Sequence, residues 1–331
     1  MISILMPVFN AAPFLRACLD SILNQSLENW ELLAIDDFST DDSWKILKEF
    51  AEKDPRIRFF KNNEKGIIPA LRLAFQHSQG EFISRMDADD LMPVDKLAIL
   101  HQTVLKKGVG HVITGKVAYF SDDDLRDGYK KYENWLNELV EEQRHYEDLY
   151  RECVLPSPGW LINRSDLIKA GGFDSERYPE DYDLCFRFFE QNFKIVGIPE
   201  TVHLWRDHSG RTSRNNPIYA DQNYLELKLY WFSKLNGDPS YSFVIWGAGK
   251  KGKFIARYFL KHNHSFQWIT DNSKKQGINI FDQILKAPDA VDFEEGLKIL
   301  IAVATPSARK EIEDFLKEKN KQRGKDYFWF C

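Results

Sequence analysis

Short apolar runs alternate with amphipathic stretches from the first residues of the chain. Residues 2–6 (ISILM) read as a buried strand, and residues 14–25 (FLRACLDSILNQ) carry apolar side chains at helical spacing. Residues 30–36 (WELLAID) predict a second strand. Ser39, Thr40, Asp41 and Asp42 then form a capping cluster for a helix reaching about Phe50. Residues 57–61 (IRFFK), a helix around 68–76 and residues 81–86 (EFISRM) continue the alternation. This βαβ rhythm predicts a mostly parallel sheet covered on both faces.

Beyond Pro93 the pattern gives a helix, a strand over 111–120 and a charged stretch over 125–152 with Tyr132, Trp135, Leu136, Leu139 and Val140 on one helical face. A helix over 182–191 follows, then strand-like 194–198 and 202–205, and a polar, basic segment over 206–217 that reads as a mobile loop. Aromatic-rich 224–232 closes this part as a helix. The linker signal NGDPS (236–240) precedes a second βαβ rhythm, so the expected domains are 1–238 and 239–331.

Composition widens this picture only modestly. A chain of 331 residues that is 43% hydrophobic and 14% aromatic can bury two cores. The net charge of -5 gives no electrostatic case for nucleic acid as a partner. Cys18, Cys153, Cys185 and Cys331 lie far apart without a CxxC pair, which suits a reducing compartment and argues against a disulfide framework or a zinc site. No apolar run approaches the ~20 residues that span a bilayer, and the N-terminus lacks the basic start of a signal peptide. The expectation is a cytoplasmic protein, with peripheral membrane contact and homo-oligomerisation left open.

The chemistry concentrates at strand ends. In FISRMDADDL (82–91) an apolar strand runs into Asp87, Asp89 and Asp90. Parallel α/β sheets bind ligands beyond the carboxyl ends of their strands. Asp-x-Asp there offers hard oxygen donors suited to Mg²⁺ or Mn²⁺ shared with substrate phosphates. The plainer alternative is that Asp89, Asp90 and Asp95 solvate a turn ahead of a helix with Pro93 in its first turn. MPVFN (6–10) and IDDFSTDD (35–42) end neighbouring strands, and YPEDYDLCFR (178–187) sets Glu180 and Asp181 at a helix start, where the dipole favours carboxylates.

Taken with GGFDSERYPEDYDLCFR and LWRDHSGRTS, these motifs resemble, in order and over about residues 1–235, family 2 of the inverting glycosyltransferases with the GT-A fold. The resemblance implies that Pro7, Phe9 and Asn10 line a nucleotide pocket. Asp36 and Asp37 would be the acidic pair that contacts base or ribose, in either assignment. Asp87 and Asp89 would form the DxD, with Asp89 on the metal, and Asp181 would be the catalytic base. It also implies that Arg206, His208, Arg211 and Arg214 lie on a segment closing over the diphosphate, with His208 contacting phosphate or completing the metal site. The implied donor is a nucleotide-diphospho-sugar, a UDP-sugar being the first expectation, with Mn²⁺ or Mg²⁺ as cofactor. The implied acceptor is a carbohydrate or glycolipid hydroxyl in surface polysaccharide or glycoconjugate synthesis. Arg72 stands where many relatives carry Asn, and either reaches the nucleotide or faces solvent. Trp160 either stacks on an acceptor sugar or is core.

In the second part, Gly247-x-Gly249-x-x-Gly252 follows a strand and opens a helix, and Asp271 ends the next strand. That is the full context of a nucleotide or dinucleotide fingerprint, although the remaining chain is too short for a complete two-half dinucleotide domain. The segment resembles small Rossmann-like domains that follow some bacterial glycosyltransferases. Its glycine turn either binds a nucleotide or dinucleotide or is only structural. Two other functions stay open: a nucleotide-sugar oxidoreductase or epimerase, for which residues 239–331 carry no Tyr-x-x-x-Lys pair, and a sugar-nucleotide-binding regulatory protein, which would need no acceptor base.

Overall fold

In the computed structural model, which describes residues 1–121, 127–211 and 216–331, the early apolar runs become one side of a seven-stranded sheet. Strands β1 (Ile2–Val8), β2 (Trp30–Asp36), β3 (Ile57–Lys61) and β4 (Phe82–Arg85) lie parallel in the order β3-β2-β1-β4. Helices α1 (Ala12–Leu23), α2 (Ser43–Ala51) and α3 (Ile67–His77) connect them, and α4 (Lys96–Lys107) follows β4. Every residue of β2 is buried, which is why that strand reads as a nearly unbroken apolar run. Helix α1 turns Leu15, Cys18, Leu19 and Ile22 inward, the i, i+3, i+4, i+7 stripe of a helix packed on a sheet.

Strand order reverses at β1, which has β2 on one side and β4 on the other. The loops after β1 and β2 therefore leave the same sheet edge as the turn after β4, and a crevice forms beyond these carboxyl ends. Register sets the details. Val8 is level with Asp36, and Leu5 with Arg85, so the acidic residues begin where the strands stop.

The rest of this sheet departs from the parallel expectation. β5 (His111–Phe120) and β7 (Lys194–Arg206) pair in parallel, but β6 (Trp160–Asn163) runs antiparallel between β4 and β5. β6 is four buried residues without alternation, so periodicity cannot reveal it. Helices α5 (Asp127–Glu142), α6 (Arg164–Lys169) and α7 (Glu180–Glu190) complete this region. The two strand-like runs at 194–198 and 202–205 form the single strand β7, whose pairing with β5 shifts register around Lys116.

By compactness the chain forms two units: Met1–His145 with Val154–Tyr219, and Tyr146–Cys153 with Ala220–Cys331. The units part ahead of helix α8 (Asp221–Leu235) and not at the 236–240 linker, where the sequence reading set a boundary at 238. Residues 146–153 belong with the second unit for visible reasons. The Tyr150 ring lies 5.2–5.4 Å from those of Phe232, Phe328 and Phe330, Asp148 pairs with Arg323, and Lys228 Nζ donates to Arg151 O at 2.7 Å.

The second unit is built on strands β8 (Ser242–Trp246), β9 (Gln267–Ile269), β10 (Asn279–Ile280), β11 (Gln283–Lys286), β12 (Leu297–Ile301) and β13 (Tyr327–Trp329) in the order β10-β11-β9-β8-β12-β13. All neighbours but β10 and β11 are parallel. Helix α9 (Lys250–Lys261) follows β8, and α10 (Pro306–Glu318) follows β12. Among the described residues no disulfide joins any of the four cysteines. Among the described residues, no helix is long and apolar enough to cross a membrane.

Candidate functional site

The loops after β1 and β2 hold each other. Asn10, at φ +48°, donates its N–H to Ser39 Oγ at 3.0 Å and accepts from Thr40 N at 2.8 Å. The first N–H groups of α1 are satisfied across the gap, Ala11 N by Ser43 Oγ at 2.9 Å and Ala12 N by Asp41 Oδ2 at 2.9 Å. This leaves Phe9 exposed beside Lys65, whose Nζ is 5.2 Å from the ring, while Pro7 is half-buried in β1.

The two aspartates at the end of β2 differ. Asp37 accepts from Asn62 Nδ2 at 2.7 Å and from Gly66 N at 2.9 Å, so its carboxylate organises the turn between β3 and α3. Asp36 is buried, and its Oδ1 has no hydrogen-bond partner.

The turn after β4 is fastened between α1 and β7. Leu91 and Leu204 exchange both backbone hydrogen bonds at 3.1 Å, and Met92 N donates to Ser21 Oγ at 3.0 Å. Asp90 is fully buried, accepting from Arg206 N at 2.8 Å and facing His203 Nε2 at 2.9 Å. Among the described residues the Nδ1 of His203 has no partner, so Nε2, facing Asp90, is the engaged nitrogen of the ring. Burial drives His203 well below its ordinary value, and burial together with Asp89 and Asp87 drives Asp90 well above.

Asp89 faces outward from this anchor. Its Oδ2 lies 2.9 Å from His208 Nε2, and its carbonyl accepts from Arg206 Nε at 2.9 Å. Burial alone would raise the Asp89 carboxyl, but the His208 hydrogen bond and the Arg211 guanidinium outweigh it and hold Asp89 ionised. Arg206 is held between Phe14 and Phe120, 5.0 and 4.5 Å from their rings, and Arg211 lies 5.1 Å from the Trp205 ring. Arg214 falls outside the described residues.

At the start of α7 the acidic pair divides. Glu180 Oε1 takes Arg85 Nη1 at 3.0 Å, and its Oε2 accepts from Tyr219 OH at 3.0 Å. Arg85 Nε also holds Asp87 Oδ1 at 2.9 Å. Asp181 instead accepts from Ser157 Oγ and from Tyr182 N. Burial and then Asp181 push the Glu180 carboxyl up. Burial would lower Arg85, yet Asp87 and Glu180 beside it keep it above its ordinary value.

Sequence reasoning did not foresee Arg85, Ser157, Tyr219, His203 or Lys96. Lys96 is buried, donating from Nζ to Pro158 O at 2.5 Å, and burial lowers it to about 8 against the pull of Asp90 and Asp87. Arg85 had one available signal, a charge at the last position of an otherwise buried strand. Arg72 is half-buried and engages the segment ahead of α7. It donates to Phe173 O at 3.2 Å and pairs with Glu176, holding the segment that leads into α7. Trp160 is core, edge-on to Phe188 at 6.4 Å.

Asp89 and His208 fit a divalent ion as a partial donor set, an ionised carboxylate facing an imidazole nitrogen across one proton. Among the described residues no group of three or more His, Cys, Asp and Glu is arranged to hold a metal by itself. Mg²⁺ in particular is commonly held by one or two carboxylates, with substrate phosphates and water completing its shell.

In the second unit, Gly247 has φ +116°, and a Cβ at Gly252 would lie 2.0 Å from Gly247 O, so both glycines are required by the turn itself. Gly249 differs, having nothing within 4 Å of an added Cβ. An open cleft of about 440 Å³ lies there, lined by Ala248, Gly249, Lys250, Lys253, Arg257 and Lys275. The Asp271 carboxylate accepts from Trp246 Nε1 at 2.8 Å.

Comparison with known proteins bears on the family and the fold. Residues 3–171 match the Glycosyl transferase family 2 profile. The glycosyltransferase GlyG of Streptococcus pneumoniae is 28% identical over 225 residues, 65% of this chain and 73% of that protein. Among solved structures, S. aureus TarS 1-349 in complex with UDP-GlcNAc superposes with a TM-score of 0.55 at 15% identity, over 78% of this chain and 71% of that one. The mannosyltransferase PcManGT from Pyrobaculum calidifontis, in complex with GDP-Man and Mn²⁺, gives 0.54 at 20% identity, over 78% and 69%. With an α/β sheet of GT-A type and a profile match across half its length, the chain belongs to glycosyl transferase family 2.

Proposed function

We propose that the first unit is a metal-dependent inverting glycosyltransferase with Asp181 as its proton acceptor. One observation carries the assignment. Asp87 and Glu180 share Arg85, Asp89 faces His208 and Asp90 faces His203, whereas among the described residues Asp181 has no basic partner and is held by a hydroxyl and a backbone N–H. A carboxylate so placed is oriented and free of a competing cation, as an acceptor of a hydroxyl proton must be.

Asp181 removes the proton of an acceptor hydroxyl as that oxygen bonds to the anomeric carbon. The bond from that carbon to the diphosphate oxygen breaks on the opposite face, and the electron pair leaves with the diphosphate. A single displacement of this kind inverts configuration and forms no sugar–enzyme bond. Asp89 and His208 would hold Mn²⁺ or Mg²⁺, which neutralises the leaving diphosphate. Asp36, Asp37, Pro7, Phe9 and Asn10 would take the nucleotide, with UDP the first candidate and GDP the second. The acceptor is a carbohydrate or glycolipid of the surface polysaccharide or glycoconjugate class.

The Lys250, Lys253, Arg257 and Lys275 cleft supports a separate role for the second unit in binding a phosphate-bearing ligand, such as a nucleotide or dinucleotide, within a Rossmann-like domain. An oxidoreductase or epimerase reading would rest on that cleft alone.

The test is turnover of UDP-glucose, UDP-GlcNAc and GDP-mannose with Mn²⁺ in wild type and Asp181→Asn. Nucleotide binding that survives Asp181→Asn, with turnover lost, supports the assignment. Undiminished turnover removes Asp181 from the reaction.

A further inference from the structure

Arg85 is the last residue of β4 and is buried. It faces two acidic motifs at once, Asp87 in the turn after β4 and Glu180 at the start of α7, at 2.9 and 3.0 Å. Glu180 has both oxygens engaged, one by this guanidinium and one by the Tyr219 hydroxyl. Each oxygen is thus already oriented by a partner within the protein, although Glu180 sits next to the residue proposed to do chemistry. A buried guanidinium with two carboxylate partners holds them at fixed distance, and removing one partner leaves an uncompensated charge. Lys96 adds a second tie between the same regions, its ammonium donating to Pro158 O beside Ser157, whose hydroxyl holds Asp181.

We propose that Arg85, Glu180 and Tyr219 are positioning residues for glycosyl transfer. They lock the first turn of α7 to the turn after β4, so that the nucleotide-binding side of the site and Asp181 are set in one frame. The inference rests on the glycosyltransferase reading and adds to it a physical link between donor binding and the base. The guanidinium touches no reacting atom. Its effect is orientation, and a misplacement of about 1 Å at such a site costs up to roughly a hundredfold in rate.

Two measurements on the full chain test this. The first is amide hydrogen exchange over residues 178–190 with and without UDP or GDP plus Mn²⁺. Nucleotide should slow exchange there in wild type, and Glu180→Gln and Tyr219→Phe should abolish or reduce that slowing. The second compares nucleotide affinity with kcat for UDP-glucose, UDP-GlcNAc and GDP-mannose. Glu180→Gln should keep affinity within about threefold while kcat falls about tenfold to a hundredfold, and Arg85→Lys should recover part of the kcat that Arg85→Met loses. Slowing that persists in Glu180→Gln, or none in a wild type that binds nucleotide, overturns the link. An equal loss of affinity and kcat overturns it too, because a merely structural role predicts that pattern. If wild type binds neither nucleotide and turns over none of the three sugars, the glycosyltransferase reading fails first and takes this role with it.

Discussion

His145 is the last residue of the first unit's N-terminal segment, and its burial has a consequence for acid stability. Both ring nitrogens are buried and, among the described residues, have no hydrogen-bond partner. Desolvation is the sole cause that shifts it, lowering its pKa from 6.5 to about 4. The fold therefore admits only the neutral ring. Below pH 6.5 the unfolded chain binds a proton that the folded chain refuses until about pH 4, so this contribution is full above 6.5 and is lost as pH falls through that window. The difference between 6.5 and about 4 is worth roughly 3 kcal/mol in all, of which about 2 kcal/mol has gone by pH 5. Carboxylates also titrate in acid, so the reading is the difference between wild type and His145→Leu. The assay is urea denaturation of both proteins at pH 7 and pH 5. Wild type should lose about 2 kcal/mol more than His145→Leu between the two. Parallel losses, or an NMR titration of His145 centred near 6.5 in the folded protein, would refute the reasoning.

Other expectations follow from the site. With nucleoside diphosphate and Mn²⁺ at a hundredfold excess over Kd, wild type should gain about 2.7 kcal/mol of stability, and Asp89→Ala should lose the Mn²⁺-dependent share; equal gains in both proteins would remove Asp89 from the metal. Gly249→Ala should leave thermal stability nearly unchanged, because open space awaits the methyl, whereas Gly252→Ala meets Gly247 O and should destabilise the second unit by several kcal/mol; similar melting of the two variants would contradict that contrast. Lys253→Ala with Arg257→Ala should weaken binding of ADP, UDP or NADP to the second unit at low salt, while calorimetry showing unchanged affinity would place any ligand elsewhere.

Much of the scaffold was legible because buried parallel strands and one-sided helices write their periods into sequence. The boundaries of β2, β3 and β5 coincide with the apolar runs that announced them. β6 was not legible, because four buried residues have no period and their antiparallel direction depends on partners far along the chain. The acidic residues at strand ends could be found by their position, but their division of labour could not. That Asp37 organises a turn, that Asp90 is an anchor and that Glu180 is held by Arg85 all depend on partners 25 to 116 positions away. Arg72 shows the same limit, since its partner segment lies 101 to 104 positions on.

The allegiance of residues 146–153 to the second unit bears on how the chain can be made. During synthesis this segment leaves the ribosome well before Phe232, Phe328 and Phe330 exist to surround Tyr150, and before Arg323 exists to meet Asp148. The nascent protein must therefore carry an exposed aromatic, and a carboxylate that has Arg151 but not yet Arg323 beside it, until residues 323–330 emerge. Stopping the gene after Tyr219 would make that exposure permanent. Neither unit can be released whole by a single cut, and a two-piece version would have to return residues 146–153 to the C-terminal fragment as a separate peptide.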